Sequence, residues 1–274
     1  MNKILRIFSV LSLVAIMFSA CMPDEYELQE PWDKSALKFS VTVDTQNPNK
    51  LYLKSETPGA QPYWVTPVGT SIKLDDAITI PFPGDYTITY TVETPGGLVT
   101  ADPYTFTITT VDEDFVSDPM WTNLTGGIGQ SKTWVLDLDA DAVSKYFLGP
   151  FYFGGTGWEW DPAFSDIPWA GVSAGDYGTM TFDLIGNANF SCDNKMFPDL
   201  SGTGTFMLFP ETSELITYGA EVIHDKAQGE RIANWNAVMK IKMLTADQMQ
   251  LICYINPNEW LIYNYITKDY YDSH

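Results

Sequence analysis

The sequence predicts an all-β protein built from two domains. Aromatic residues make up 14% of the 274 residues, and the stretches rich in Thr, Tyr and Val are broken by Gly and Pro. Such a composition favours strands joined by turns. With 45% hydrophobic and 18% charged residues, the chain has enough apolar material for about two folded domains. We therefore expect a small β-sandwich followed by a larger antiparallel β-domain.

The charge balance and the histidine count exclude several classes of function. The 35 acidic and 15 basic residues give a formal net charge of -20. This charge repels phosphate backbones, so we expect no nucleic-acid partner. His224 and His274 are the only histidines, and no Cys/His spacing suits a metal. The sequence therefore predicts no metal site and no cofactor. The alternative is a loose calcium site at Asp137, Asp139 and Asp141, which lack the glycine and glutamate of an EF-hand loop.

Residues 1–20 have the pattern of a secretion signal peptide. Lys3 and Arg6 precede an apolar run that ends before Ser19 and Ala20. The run is shorter than the roughly 20 residues of a spanning helix, although an uncleaved anchor is the alternative. Ser19-Ala20-Cys21 resembles a bacterial lipobox. The resemblance implies that Cys21 carries the lipid and that residues 21–35 form a lipid-anchored linker.

Three acidic residues follow Cys21 closely, at Asp24, Glu25 and Glu27. They resemble the export signal that sends lipoproteins of Bacteroidetes to the outer face of the outer membrane. The resemblance implies a protein that is anchored in the outer membrane and faces the cell surface. The alternative is that these residues only keep the linker solvated.

Residues 36–111 are predicted to form the first domain. Apolar and polar residues alternate from Leu37 to Val43, and six or seven short strands follow one another within this range. That number of strands fits a small immunoglobulin-like sandwich with Trp64 in its core. The run from Pro83 to Val92, followed by Gly96-Gly97, resembles the late strands of a PKD-like domain. The resemblance implies a spacer module.

Residues 112–130 are predicted to be a linker because they contain Pro119, Gly126, Gly127 and Gly129. Residues 131–274 then form the C-terminal β-domain. Its strands come in neighbouring pairs, and such sequential hairpins favour an up-and-down barrel over a β-sandwich. The run from Met239 to Leu251 and the earlier Gly204-Thr205-Phe206 resemble the lipocalin-like domains of Bacteroidetes lipoproteins. The resemblance implies a barrel.

Two cysteines of this domain, Cys192 and Cys253, remain once Cys21 is assigned to the lipid. An exported protein can join them in a disulfide. Their apolar neighbours equally suit two small buried residues in strands. The sequence leaves both alternatives open.

Residues 139–176 are an insertion rich in aromatic residues, and we expect the ligand site there. Sugar rings pack on flat aromatic faces while their hydroxyls bind carboxylates, so aromatic rings beside Asp or Glu suit a carbohydrate site. Trp158 and Trp160 should face the same way in an extended stretch, with Glu159 on the other side. The alternative is that the rings plug one end of the barrel. The predicted ligand-binding residues are Trp158, Trp160, Trp169, Tyr152 and Asp161.

No pattern in the sequence indicates catalysis, so we expect no catalytic residues. Acidic residues are abundant, but neither a Gly-x-Ser-x-Gly elbow nor a glycosidase motif occurs. The order of lipobox, linker, immunoglobulin-like module and aromatic-rich β-domain resembles the surface glycan-binding lipoproteins of Bacteroidetes polysaccharide utilisation systems. The resemblance implies capture of a poly- or oligosaccharide and its delivery to an outer-membrane transporter complex. The alternatives are a lipocalin-like carrier of a small apolar ligand and a structural surface protein or adhesin.

Overall fold

The computed structural model describes residues 29–274. The predicted signal peptide, Cys21 and residues 22–28 of the predicted anchored linker lie outside the described residues. The described part is all-β, as predicted. Its strands are β1 (Phe39–Val43), β2 (Lys50–Ser55), β3 (Gln61–Thr66), β4 (Gly69–Ser71), β5 (Asp75–Thr79), β6 (Gly84–Thr94), β7 (Gly97–Thr100), β8 (Tyr104–Ile108), β9 (Ser131–Leu136), β10 (Phe151–Gly155), β11 (Trp158–Trp160), β12 (Gly178–Asp183), β13 (Asn189–Asn194), β14 (Gly202–Phe209), β15 (Glu214–Tyr218), β16 (Met239–Leu244), β17 (Gln248–Asn256) and β18 (Glu259–Thr267). Its α-helices are α1 (Pro119–Thr125), α2 (Lys226–Gly229) and α3 (Lys268–Ser273).

The first eight strands form two separate sheets, which agrees with a sandwich in the N-terminal part. One sheet has the order β1-β2-β5, and the other has the order β4-β3-β6-β7 with β8 also paired to β6. Trp64 is fully buried, as predicted, and its ring lies 4.5 Å from that of Tyr90 and 5.8 Å from that of Phe39. Closely spaced aromatic rings of this kind supply much of the apolar contact in a small domain.

The chain divides by contacts into two compact units. Among the described residues, the first contains residues 29–40, 53–76 and 88–104, and the second contains residues 41–52, 77–87 and 105–274. The predicted domains, 36–111 and 131–274, follow the sequence continuously, whereas these units interleave. Five strands, β1, β2, β5, β6 and β8, contribute residues to both units.

Eight strands of the C-terminal part close into an antiparallel barrel, which decides between the two predicted alternatives. Strand β9 pairs with β12, the strands β12 to β18 follow one another as neighbours, and β18 returns to β9. Closure is made by Leu136, Val135 and Trp134 of β9 opposite Tyr265, Ile266 and Thr267 of β18. Because the first and last strands pair, this sheet has no open edge along the closed path.

Strand β18 is longer than β9, and a second strand pairs with the rest of it. β9 faces residues 265–267 and β10 faces residues 259–263. Asn264 lies between them: its carbonyl accepts from the Asp137 amide at 3.0 Å, and its own amide donates to the Pro150 carbonyl at 2.8 Å. The buried Asn264 side chain also donates to the Gly149 carbonyl and accepts from Gln250. Backbone pairing with β18 therefore stops after Asp137 and resumes at Pro150.

Asp137 holds the loop between these two points. Its side chain is fully buried, and its two oxygens accept the backbone amides of Lys145 at 2.6 Å, Tyr146 at 3.1 Å and Phe147 at 2.7 Å. Burial raises the pKa of Asp137 above its usual range, and the three amides oppose that shift. The carboxylate therefore supplies acceptors for three amides of a loop that has no strand partners.

The segment 112–130, predicted to be a linker, contains the partly buried helix α1. Asp118 caps its first turn by accepting from the Met120 amide, and Gly126 ends it in the left-handed region with φ of 87°. Trp121 and Leu124 are fully buried in the same core as the barrel strands. Glycine and proline at these positions mark the ends of a helix rather than a flexible connection.

Cys192 and Cys253 are both buried free thiols, so they do not form a disulfide. Burial raises the pKa of Cys192 to about 12 and raises that of Cys253 further, so both stay protonated and act as small apolar side chains. Within residues 29–274 no helix has the length and apolar character to cross a membrane. The same residues contain no group of three or more His, Cys, Asp or Glu that could hold a metal ion.

Replacement of Asp137 by Asn tests its role in holding the loop. The amide group of Asn would direct its own N–H donors at backbone donors, so we expect a loss of about 2–4 kcal/mol of unfolding free energy. Asp141→Asn is the matched control, since Asp141 is exposed in the same loop. Thermal unfolding followed by circular dichroism measures both variants. Equal melting temperatures for the two would show that Asp137 does not hold the loop.

Candidate functional site

The predicted site lies on a hairpin that extends the barrel sheet beyond its closed path. β10 pairs with β18 on one side and with β11 on the other, and β11 is the last strand of that extension. Phe153 lies opposite Trp160, and Gly155 lies opposite Trp158. Directly opposed residues share a face of the sheet, so both tryptophans lie on the same face as Phe153. The predicted alternation of Trp158, Glu159 and Trp160 is therefore confirmed.

Three exposed tryptophans form what we call the tryptophan platform: Trp158, Trp160 and Trp169. Their exposed fractions are 49%, 44% and 61%. The rings of Trp160 and Trp169 are nearly parallel, with an angle of 11° and a centroid distance of 6.3 Å. Both stack on Phe153, with centroid distances of 5.6 Å and 5.3 Å. Phe153 is buried and belongs to the barrel core, so two rings of the platform rest on a fixed base.

Two glycines of β10 allow tryptophan rings to lie flat on the backbone. A Cβ atom at Gly155 would collide with Trp158, reaching 2.7 Å from its Cε2 atom. A Cβ atom at Gly154 would collide in the same way with Trp260, reaching 2.7 Å from its Cδ1 atom. Gly155 therefore sets the position of Trp158, and this role depends on the absence of a side chain.

Trp169 is positioned by a short 3-10 turn, Pro168–Ala170. The residues on either side of the Pro168-Trp169 pair, Ile167 and Ala170, are buried, which leaves Trp169 directed outward. The side chain of Gln228 donates to the Ala170 carbonyl at 2.7 Å. Gln228 itself lies in α2, whose first turn is capped by the buried Asp225. The turn is therefore tied to a buried segment of the domain.

The structure does not place Tyr152, a predicted ligand-binding residue, on the same face as the tryptophans. Tyr152 is only 5% exposed, and it precedes Phe153 in β10, so its ring lies on the opposite face of the sheet. There it contacts Lys242, whose Nζ atom lies 5.0 Å from the ring centroid. Lys242 also forms an ion pair with Glu159. Burial lowers the pKa of Lys242, but Glu159 and Tyr152 outweigh it and raise the pKa above its usual value.

Asp161 follows Trp160 and is exposed, as a ligand-binding residue requires. Loss of hydration raises the pKa of its carboxyl, while Lys242 lowers it and Glu159 raises it. These charged neighbours lie on the face that carries Tyr152, so Asp161 stands at the edge of the platform rather than among its rings. A carboxylate at this position can accept hydroxyl groups of a ligand that extends past Trp160.

The barrel interior beneath the site is filled with side chains. Phe151, Tyr263 and Tyr265 are fully buried, and so are Phe182 and Leu251 from other strands. Aromatic and aliphatic side chains that touch in this way leave the core packed rather than hollow.

His224 is part of a buried polar group and does not reach the platform. Its ring stacks on Trp235 at 3.9 Å, and its nitrogens lie 2.7 Å from the Asp225 carbonyl and 3.0 Å from the Glu221 carboxylate. Both ring nitrogens of His224 therefore have partners close by in the chain. The His224 ring also packs closely against Gly229 of α2. A side chain at position 229 would collide with this ring.

Comparison with known proteins adds no assignment to this geometry. No protein-family model matches the chain. No curated protein matches it either. Support for the candidate site therefore comes from the arrangement of its own residues.

The residues that support the platform were not among the residues predicted from the sequence. Phe153 and Gly155 hold Trp160, Trp169 and Trp158 in place, and Gln228 reaches the turn of Trp169 from a distant part of the chain. The Phe-Gly-Gly run before Trp158 was a usable signal, because adjacent glycines in a strand indicate a close approach of another group. No local sequence pattern indicates that Gln228 contacts the Ala170 carbonyl in the turn of Trp169.

Gly155→Ala tests whether this glycine positions Trp158. The added Cβ displaces the ring, so we expect the Trp158 indole N–H resonance to shift in an NMR spectrum and the free energy of unfolding to fall by about 1–2 kcal/mol. Thr156→Ala is the control in the adjacent exposed turn. An unchanged Trp158 resonance in Gly155→Ala would contradict the contact.

Proposed function

We propose that this protein is a non-catalytic cell-surface lipoprotein that binds a poly- or oligosaccharide through its exposed tryptophans, as part of a glycan-uptake system. The single observation that carries the proposal is the tryptophan platform on its buried Phe153 base. Large exposed apolar patches on soluble domains mark interaction sites. Flat rings suit the C–H faces of sugars, and Asp161 offers an acceptor for their hydroxyls.

The ring geometry supports binding across the platform rather than between its rings. The centroids of Trp160 and Trp169 are 6.3 Å apart in nearly parallel planes. A sugar between them would need a contact of about 3.5–4.0 Å to each ring in addition to its own thickness. The ligand therefore lies on the outer surfaces of the rings, which suits one face of an extended glycan.

The packed barrel argues against the alternative of an apolar carrier. A carrier of this class needs a cavity of several hundred Å³ inside the barrel. The inward-facing aromatic residues occupy that space among the described residues. A structural protein or adhesin needs no such cavity, and a failure of every glycan to bind would favour that alternative.

The position of Glu159 supports binding without hydrolysis. Glycosidases place two carboxyl groups about 5–10 Å apart on either side of the bond that is broken. Glu159 points away from the tryptophans and is paired with Lys242, so it is not directed at a sugar on the platform. We expect no product from any glycan that binds.

Single alanine variants of Trp158, Trp160 and Trp169 test the proposed binding site. Each change removes apolar contact worth about 1–3 kcal/mol, which is a loss of affinity of about 5- to 150-fold. Melting temperatures should change little, because the three rings are half-exposed. Calorimetry with starch, xyloglucan, β-mannan and mixed-linkage β-glucan measures binding, and circular dichroism measures unfolding.

Tyr218→Ala is the matched control for these variants, since Tyr218 is an exposed aromatic residue of β15. It should leave glycan binding unchanged. If a glycan binds the wild type and all three tryptophan variants equally well, the platform is not the site. If all three variants lose several kcal/mol of stability, the rings are structural.

The proposed anchor is tested with Cys21→Ala. Cells that express the wild-type chain should incorporate a labelled fatty acid into it, and the variant should not, because the thiol is the attachment point. External protease should digest the wild-type protein on intact cells if it faces the surface. Label in the variant would contradict lipidation at Cys21, and resistance to protease would contradict surface exposure alone.

A further inference from the structure

The surroundings of the tryptophan platform are strongly depleted of cationic residues. Residues 146–194 contain no Lys, Arg or His, although this stretch includes all three tryptophans of the platform. The same stretch carries two carboxylates close to the tryptophans in sequence, since Asp161 follows Trp160 and Asp166 lies three residues before Trp169. Asp161 and Asp166 are both exposed, and neither forms an ion pair within 4 Å among residues 29–274.

The cations that other strands bring near the hairpin are already neutralised. Lys242 is paired with Glu159 on the face opposite the platform. Arg231 is paired with Glu259, which lies opposite Gly155 in the sheet. An incoming carboxylate or sulfate would therefore meet unpaired negative charge and no free cation from these strands. The net charge of -20 adds a longer-range repulsion of the same sign.

We infer that the tryptophan platform selects neutral glycans and rejects glycans that carry uronate or sulfate groups. The inference rests on the proposed function and names the class of its ligand. Stacking does not distinguish a neutral sugar from its uronate, because both present the same C–H face to a ring. The carboxylates near the tryptophans distinguish the two sugars, because they repel the charged group of the uronate. Such repulsion of an unwanted ligand contributes to specificity as well as attraction of the preferred one does.

The test compares neutral and acidic polysaccharides at two salt concentrations. The probes are starch, xyloglucan, β-mannan and mixed-linkage β-glucan on one side, and polygalacturonate and alginate on the other. At about 10 mM salt, where the screening length is about 30 Å, we expect the acidic probes to bind at least roughly tenfold more weakly than the best neutral probe. At about 1 M salt the screening length is about 3 Å, so this difference should narrow while neutral binding stays constant.

Asp166→Lys tests the local charge directly. Reversing one charge about 7 Å from a ligand carboxylate changes the Coulomb interaction in water enough to raise polygalacturonate affinity about three- to tenfold at low salt. Asp193→Lys is the matched control, because it makes the same charge change at an exposed position of β13. It should have little effect on binding of any probe.

The outcomes separate this inference from the proposed function. Neutral binding that depends on Trp160, with weak binding of acidic probes, supports both. Tighter binding of polygalacturonate or alginate that is lost in Trp160→Ala overturns the selection of neutral glycans and leaves the glycan-binding function standing. Equal effects of Asp166→Lys and Asp193→Lys overturn the role of local charge. No binding of any probe overturns the proposed function and the inference together.

Discussion

The need of strand β18 for a backbone partner along its whole length governs the rest of this domain. Its residues are buried almost without exception, and a buried amide or carbonyl without a partner costs about 1–3 kcal/mol. β9 supplies partners as far as Asn264, and β10 supplies the remainder. The insertion therefore returns to the sheet at Pro150. The hairpin β10–β11, which carries Trp158 and Trp160, exists because this pairing must be completed.

The platform combines exposure with a fixed position. An exposed aromatic ring on a flexible loop would lose conformational freedom when it binds a ligand. Here Phe153 fixes Trp160 and Trp169 from below, and the flat backbone at Gly155 fixes Trp158. Phe153 belongs to the barrel core, so the energy that orders the rings comes from folding and is not drawn from binding.

Sequence patterns predicted the strands well, because alternation and short turns are local signals. The barrel, the shared face of Trp158 and Trp160, and the burial of Trp64 all follow from such signals. The sequence alone could not show that Tyr152 lies on the face away from the tryptophans, because its face depends on the register of β10 against β18, and a shift of one residue exchanges the two faces. The helix within 112–130 was missed although Asp118-Pro119 and Gly126 are ordinary signals for its two ends.

The pairing of β10 with β18 has a consequence for the order in which the domain folds. β10 pairs with β18 and β11, and β18 is the last strand within residues 29–274. During synthesis, β10 and β11 have no strand of the barrel to pair with until residues 259–263 have emerged. Loop closure over such a long separation is entropically expensive, so it happens late in folding. The platform is therefore among the last parts to form, and a chain without β18 loses the tryptophan platform together with the barrel.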